Sequence, residues 1–126
     1  MSVRYLLDTD CSIYAMLGTH PRLRARLADC EPGEIAISAV NFAEICMGEN
    51  LGHPPDLEVI ETFVELVPIL PFDEPAARAY AQLPFRRARF DRLLAAHALS
   101  IGAVVVTNNE TDFADVPGLA VENWTV

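Results

Sequence analysis

Four acidic residues of this 126-residue chain lie beside apolar segments, where an unpaired charge is costly. Asp8 directly follows the apolar run of residues 3–7, and Asp112 lies shortly after a second apolar run. Glu44 and Asp91 fall within helical patterns whose apolar rows should face a sheet. Taken singly, Glu44 could occupy a helix rim, and Asp91 could be a first-turn acid that the helix dipole stabilises. Taken together, the four acids favour a shared acidic centre.

Carboxylates that converge in this way need a cation or extra protons. Two of them ~4 Å apart repel by about 4 kcal/mol at an effective dielectric constant near ~20. Oxygen ligands without His or Cys partners select Mg²⁺ or Mn²⁺ over zinc. A divalent ion held there lowers the pKa of bound water and stabilises the charge of a phosphoryl transfer. We expect Asp8 and Asp91 to be the innermost ligands, and Glu44 and Asp112 to hold waters or a second ion.

Several other residues stand close to these acids in the sequence. Thr107 should form a hydrogen bond near the carboxylates, and Ser12 could reach the same place. Each hydroxyl has an equally good alternative as a cap, of a strand end for Thr107 and of a helix start for Ser12. Asn109 could hold a water or accept a hydrogen bond, but it brings no charge. His97 and Phe90 are expected in the core rather than in the site.

The net charge of −9 and the absence of lysine oppose nonspecific nucleic-acid binding through a basic surface. The arginines are clustered, however, and Arg86, Arg87 and Arg89 lie just before Asp91. Guanidinium groups beside an acidic centre can bind a phosphate backbone once metal ions neutralise the acids. The alternative, a solvated helix face, is about as well supported by composition alone.

Short apolar runs alternate with helical patterns along the chain. This alternation predicts an α/β fold with a mostly parallel sheet, in which ligands bind beyond the carboxyl ends of the strands. The row that Glu44 shares with Val40, Met47 and Leu51 is expected to face that sheet. The predicted strands cover residues 3–7, 34–38, 67–72, 103–107 and 119–121; the predicted helices follow Asp8 and cover residues 22–28, 39–47, 56–66, 73–83 and 87–101.

Length and composition predict one compact domain, residues 1–126, because hydrophobic residues make up 52% of the chain and charged residues 21%. The longest uncharged apolar runs are far shorter than the ~20 residues of a membrane helix. No secretion signal is expected, since the N-terminus lacks a charged leader followed by a long apolar stretch. Three cysteines without a C-x-x-C pair are typical of reduced thiols. We therefore expect a cytoplasmic protein that does not associate with membranes.

The chain also carries a series of short motifs. They are Tyr5-Leu6-Leu7-Asp8-Thr9, Phe42-Ala43-Glu44-Ile45, Asp91 with Leu94-Ala95-Ala96-His97, Val106-Thr107-Asn108-Asn109 and Asp112-Phe113. In this order and spacing they resemble those of PIN-domain ribonucleases, specifically the VapC-type toxins of bacterial toxin–antitoxin pairs. The resemblance implies a three-layer α/β/α sandwich and endonucleolytic cleavage of RNA that depends on Mg²⁺ or Mn²⁺. It also implies a homodimer and inhibition by a VapB-type antitoxin whose tail enters the acidic groove.

The sequence departs from the family pattern at three places. Asp10 stands where Asn is usual, and the segment 86–90 is shorter and more basic than the usual lead into the third acid. Asn109 occupies a position where many PIN domains have a fourth acid. Asp112 is the expected substitute for that acid, and Glu110 is the alternative.

Two other functions compete with RNA cleavage. A noncatalytic PIN module could bind RNA or a protein partner without cleaving it, although the presence of Asp8, Glu44 and Asp91 favours a nuclease. A phosphoryl-receiving or phosphatase domain could use Asp8 and Asp10. That chemistry needs a lysine opposite the acids, and the chain has none.

Overall fold

Five short parallel strands form the centre of the computed structural model, which describes residues 2–85 and 89–126. The strand order is β3-β2-β1-β4-β5, with β1 in the middle. The strands are β1 (Tyr5–Leu7), β2 (Ile35–Ser38), β3 (Ile69–Leu70), β4 (Val104–Val106) and β5 (Val121–Glu122). In the central pair of ladders, Leu6 lies opposite Ala36 of β2 and Val105 of β4.

Six α-helices connect and cover these strands. They are α1 (Thr9–Leu17), α2 (Pro21–Ala28), α3 (Ala39–Asn50), α4 (Leu57–Leu66), α5 (Glu74–Ala81) and α6 (Phe90–Ile101), and a 3₁₀ helix spans Glu110–Phe113. Asp8 begins α1 by accepting a hydrogen bond from the Cys11 N–H. Gly102 ends α6 with φ of 68°, a left-handed conformation that glycine adopts without a steric penalty.

The two faces of the sheet support separate apolar cores, because successive strand residues point in opposite directions. Leu6 and Val105 pack with Leu94 of α6 on one face. Leu7 and Val106 pack on the other, in a core that also contains apolar residues of α1, α2, α3 and α4, namely Cys11, Leu23, Ile45 and Ile60. The prediction of an α/β sandwich around a parallel sheet is therefore confirmed.

Two expectations about burial are wrong. Met47 and Leu51 are 59% and 64% exposed, so the row that contains Glu44 does not face the sheet. Helix α3 instead buries Asn41 and Ile45, which turns Glu44 toward the edge of the sheet. Phe90 is 46% exposed rather than part of the core, because it stands at the first turn of α6 and lines a cavity. His97 is buried as expected.

Membrane insertion finds no support in the helices. Within the described ranges, no helix has the length and apolar character needed to cross a bilayer. The longest described helices, α3 and α6, have 12 residues each.

Candidate metal-binding and active site

An acidic cavity of about 400 Å³ opens beyond the carboxyl ends of β1 and β4. We call it the acidic cavity throughout. Five carboxylate residues line it: Asp8, Asp10, Glu44, Asp91 and Asp112. The remaining lining residues are three amides, one cation and four others, namely Asn41, Asn108 and Asn109; Arg89; and Thr9, Phe90, Leu94 and Phe113. The four acids singled out in the sequence are thus brought to one place.

Asp8 is fixed at the floor of this cavity by the junction between β1 and α1. Its carboxylate caps the helix by accepting from the Cys11 N–H at 2.8 Å. Burial raises the pKa of Asp8 above its ordinary value, and a hydrogen bond from the Thr107 side chain acts in the opposite direction. The ionised carboxylate is therefore held in a place that disfavours its charge.

Thr107 and Ser12 hold the surroundings of Asp8 in different ways. The Thr107 side chain lowers the pKa of Asp8, and its Oγ1 accepts from the Asn109 N–H at 3.0 Å, so it caps the strand end beside the acid. Ser12 is buried and donates to the backbone carbonyl of Asp8 at 2.8 Å rather than to its carboxylate. Ser12 therefore orders the turn and does not enter the acidic cavity.

Glu44 reaches the cavity from α3 and is linked to α1. The Thr9 hydroxyl donates to Glu44 Oε1 at 2.5 Å. Asn41 donates from Nδ2 to Thr9 Oγ1 at 2.9 Å and to Glu44 Oε1 at 3.4 Å. Both hydrogen bonds to Glu44 are accepted by Oε1, and neither involves Oε2. Asn41 and Thr9 are not among the sequence-predicted site residues.

Asp91 stands at the first turn of α6 with its carboxylate turned inward. Both of its oxygens are buried, and neither receives a hydrogen bond from the described residues. Arg89 Nη2 lies 3.0 Å from Asp91 Oδ2, within ion-pair distance but without the alignment of a hydrogen bond. Two buried carboxylate oxygens without donors are costly unless another group binds them.

Asp112, in the 3₁₀ helix, faces the same space. Its Oδ1 lies 3.5 Å from Arg89 Nη2, and its Oδ2 accepts from Asn109 Nδ2 at 2.8 Å. Phe113 is buried beside it and anchors the turn. Glu110 is exposed, does not line the cavity, and accepts at 3.4 Å from Asn123. Asp112 therefore lines the cavity and accepts from Asn109, whereas Glu110 does not line it; the role of Asp112 as the fourth acid stays a prediction.

The donor set of the cavity suits a hard divalent cation. Besides Asp91, the amide oxygens of Asn41 and Asn108 are buried without a hydrogen-bond partner among the described residues, and both side chains line the cavity. No His or Cys lines it. Orphaned oxygens of this kind are preferred ligands of Mg²⁺ and Mn²⁺.

The described carboxylates of the acidic cavity are not spaced closely enough to bind one metal ion together. Across residues 2–85 and 89–126, no three His, Cys, Asp or Glu side chains are grouped closely enough to hold a metal ion as they stand. Arg89 lies between Asp91 and Asp112 and offsets their repulsion. Of the three arginines expected to contact RNA, Arg86 and Arg87 lie outside the described residues.

Local sequence offers some signal for the amides that were missed. Asn41 precedes Glu44 by three residues, a spacing that puts two side chains on the same helix face. Asn108 directly follows β4 at the ligand-binding edge of the sheet. Neither position distinguishes a cavity ligand from an ordinary cap until the helices and strands are placed against each other.

Comparison with known proteins extends these observations. Residues 5–119 match the family model described as "PIN domain". A tRNA(fMet)-specific endonuclease VapC from Shigella flexneri is 33% identical, and the match covers 98% of this chain and 99% of that protein. A ribonuclease VapC2 from Haemophilus influenzae is 28% identical over 97% of this chain and 98% of its own length.

Solved structures of similar proteins have the same architecture. The DNA-bound VapBC from Salmonella typhimurium superposes with a TM-score of 0.84 at 28% identity, covering 97% of this chain and 98% of that one. VapBC2 from Rickettsia felis, bound to a DNA fragment from its promoter, gives a TM-score of 0.81 at 26% identity, covering 97% and 99%.

Proposed function

Because this chain belongs to the PIN-domain family and is similar over nearly its full length to VapC ribonucleases, we propose that it is a metal-dependent endoribonuclease, the toxin of a VapBC-type toxin–antitoxin pair. Its substrate is RNA, and the reaction is hydrolysis of a phosphodiester bond. The observation that carries the proposal is the inward-facing carboxylate of Asp91, in a cavity lined by Asp8, Glu44 and Asp112. Its two buried oxygens accept no hydrogen bond from residues 2–85 and 89–126.

The four acids divide the work by position. Asp8 and Asp91 would be the inner ligands of Mg²⁺ or Mn²⁺, since their carboxylates are buried and fixed by the starts of α1 and α6. Glu44 and Asp112 stand at the cavity walls and would hold waters or a second ion. When bound, the divalent ion supplies an activated water and offsets the negative charge of the phosphate.

The neighbouring polar groups act on these carboxylates. Thr107 lowers the pKa of Asp8 and so favours its ionised form, and the Thr9 hydroxyl donates to Glu44 Oε1. Asn109 orients Asp112. Arg86, Arg87 and Arg89 would contact the RNA backbone beside the acids, which supplies cations that a chain of net charge −9 otherwise lacks.

The decisive experiment compares RNA cleavage by the parent, Asp8→Asn and Asp91→Asn proteins in EDTA, Mg²⁺ and Mn²⁺. The RNA panel contains an initiator tRNA, because one relative is named for its action on tRNA(fMet), and also rRNA and mRNA fragments. We expect cleavage by the parent only with a divalent ion, and loss of at least ~100-fold of the rate in both variants.

Glu61→Gln, which removes an exposed acid from the middle of α4, is the matched control and should cleave like the parent. Induced expression of the same four proteins in bacteria should arrest growth only where RNA is cleaved. Binding of RNA without cleavage under every metal condition would instead identify a noncatalytic PIN module.

Partners follow from the same proposal. Two structural relatives are described as VapBC complexes, which supports a VapB-type antitoxin as the partner of this chain. A small reading frame next to the gene that encodes a DNA-binding antitoxin is the expected genomic context. We also propose that the protein is a homodimer that acts in the cytoplasm; sedimentation should then give about twice the chain mass of 13.9 kDa.

A further inference from the structure

Arg89 places a positive charge inside the acidic cavity. Its Nη2 atom lies 3.0 Å from Asp91 Oδ2 and 3.5 Å from Asp112 Oδ1, so one guanidinium bridges two acids that come from different elements. We call this pair of contacts the Arg89 bridge. It occupies the space between the two carboxylates, and the proposed divalent ion requires some of the same oxygen atoms.

The backbone and the side chain of Arg89 are held very differently. Its carbonyl oxygen accepts from the Arg92 N–H at 3.1 Å and from the Leu93 N–H at 3.4 Å, which ties the residue to the start of α6. The side chain is 52% exposed and forms no capping hydrogen bond. A long side chain on a fixed backbone can therefore leave the acids without any unfolding of the helix.

The Arg89 bridge contributes little free energy to the folded protein. Ion pairs of partly exposed arginines contribute little, because solvent screens them and ordering the side chain costs entropy. A divalent cation carries twice the charge and can bind several carboxylate and amide oxygens at once. We therefore expect a divalent cation to displace Arg89 from these carboxylates at a modest cost in free energy.

We propose that Arg89 is an internal counter-ion that competes with the divalent cation for Asp91 and Asp112, and that its displaced guanidinium then binds the RNA backbone next to the acids. This inference rests on the proposed function and adds its regulation. Binding of the metal ion to Asp91 and Asp112 thus makes the Arg89 guanidinium available to the RNA backbone. Arg89 is a substrate-positioning residue in this scheme, and it disfavours a site that holds RNA without metal.

The test measures Mn²⁺ binding by titration calorimetry on the RNA-free protein. The proteins are the parent, Arg89→Gln, Arg89→Lys and the control Arg78→Gln. Arg78 is exposed on α5 and forms an ion pair with Glu74. Loss of the competing charge should tighten Mn²⁺ binding by Arg89→Gln about two- to fivefold. Arg89→Lys, which retains the charge, should stay closer to the parent, and Arg78→Gln should match it.

The second measurement is steady-state cleavage at saturating Mn²⁺. Arg89→Gln should show a KM for RNA raised about three- to tenfold with kcat changed much less, because one phosphate contact is lost. Tighter metal binding together with weaker RNA binding is a pair of opposite effects that general damage to the fold does not produce.

Each other outcome counts against the inference. Equal or weaker Mn²⁺ binding by Arg89→Gln overturns the competition while leaving the proposed metal site intact. An unchanged KM for RNA overturns the release of the guanidinium to substrate. Absence of Mn²⁺ binding by the parent overturns both this inference and the proposed metal dependence.

Discussion

Asp8 carries its charge in a place where burial opposes ionisation. Because its pKa in the folded protein is raised, ionised Asp8 costs stability at neutral pH, and the cost disappears once the carboxyl is protonated at low pH. Asp8→Asn removes that charge, and Asn is as good a helix cap as Asp. Without metal, the free energy of unfolding should rise by about 1 kcal/mol, although RNA cleavage is lost.

Chemical denaturation in EDTA measures this effect directly. Glu61→Gln again serves as the control, since it removes an exposed charge from a helix that does not line the cavity. A clear loss of stability in Asp8→Asn would mean that the carboxylate has a structural role that outweighs its desolvation.

Asp112 and Glu110 can be separated by their response to metal. Asp112 lines the cavity and is proposed as an outer ligand, whereas Glu110 is exposed and accepts a hydrogen bond from Asn123. Asp112→Asn should therefore lower cleavage about 10- to 100-fold, with partial recovery at high Mn²⁺, and Glu110→Gln should stay within about twofold of the parent. Rates measured against metal concentration decide the matter; greater damage in Glu110→Gln would reverse the assignment.

At the residue scale, the acids were predictable and part of their surroundings was not. Asp8 directly follows one apolar run and Asp112 lies shortly after another, whereas Glu44 and Asp91 fall within amphipathic helical patterns; only the four together indicated a shared centre. The buried oxygens of Asn41 and Asn108 acquire their meaning only from helix and strand placement. The ligand roles of all these groups stay predictions for the experiments above.

At the scale of elements, Arg92 secures the start of α6. Its side chain is almost fully buried and donates to Asp115 Oδ1 at 2.7 Å and to the Pro84 carbonyl at 3.0 Å. Arg92→Ala removes these bonds and the packing of the alkyl chain, so it should lower the free energy of unfolding by about 2–4 kcal/mol.

Arg78→Ala is the matched control for that substitution. Arg78 is exposed and pairs with Glu74 one helical turn away, so its loss should cost less than about 0.5 kcal/mol. Urea denaturation of both variants gives the comparison. Equal stability of the Arg92→Ala variant and the parent would show that the bond network around Arg92 contributes nothing to the fold.

His97 links the stability of the same helix to pH. Its Nδ1 is hydrogen-bonded to Ser38 Oγ at 2.8 Å, and burial lowers its pKa, with the charge of Asp73 acting in the opposite direction. Above the ordinary value of 6.5, His97 is neutral in both the folded and the unfolded chain. Below it, the unfolded chain takes up a proton that the folded chain resists, so stability should fall as the pH decreases.

Thermal unfolding at pH 7.5 and pH 5.5 tests this expectation. The parent should lose more stability over this interval than His97→Gln, whose amide can still bond to Ser38 but does not titrate. A parallel NMR titration should place the midpoint of His97 below that of an ordinary histidine. Equal losses in the two proteins would assign the pH dependence to other groups.

The periodicity of apolar residues predicted which segments are helices and which are strands. The ends and the buried faces of these elements depend on prolines and on buried polar groups, which hydropathy does not describe. The strand expected over residues 67–72 is reduced to Ile69–Leu70, because Pro68 and Pro71 have no N–H to donate to a ladder. The apolar row through Met47 and Leu51 faces outward because Asn41 and Ile45 face inward, and an amide inside a core row is not anticipated by hydropathy.

At the scale of the whole molecule, an acidic protein is proposed to bind a polyanion through a few arginines. Replacing Arg86, Arg87 and Arg89 with alanine should weaken RNA binding about equally for all sequences. The plot of the logarithm of the RNA-binding constant against the logarithm of the salt concentration has a negative slope. With three fewer cations, the magnitude of that slope should fall by about 2. Binding is measured in an Asp8→Asn background, which prevents cleavage, and Arg78→Ala is the control. An unchanged slope would return these arginines to a solvated surface.

The strand order also determines when the protein can become active during its own synthesis. Strand β1, near the N-terminus, lies at the centre of the sheet and pairs with Val104–Val106, near the other end of the chain. Contacts between such distant segments form only after both have left the ribosome, which releases the chain from its N-terminus. Asp8 is therefore made first but meets Asp112 last. A translation product that stops before β4 lacks Asn108, Asn109 and Asp112 and so has no acidic cavity, which keeps the proposed activity from partly synthesised chains of that length.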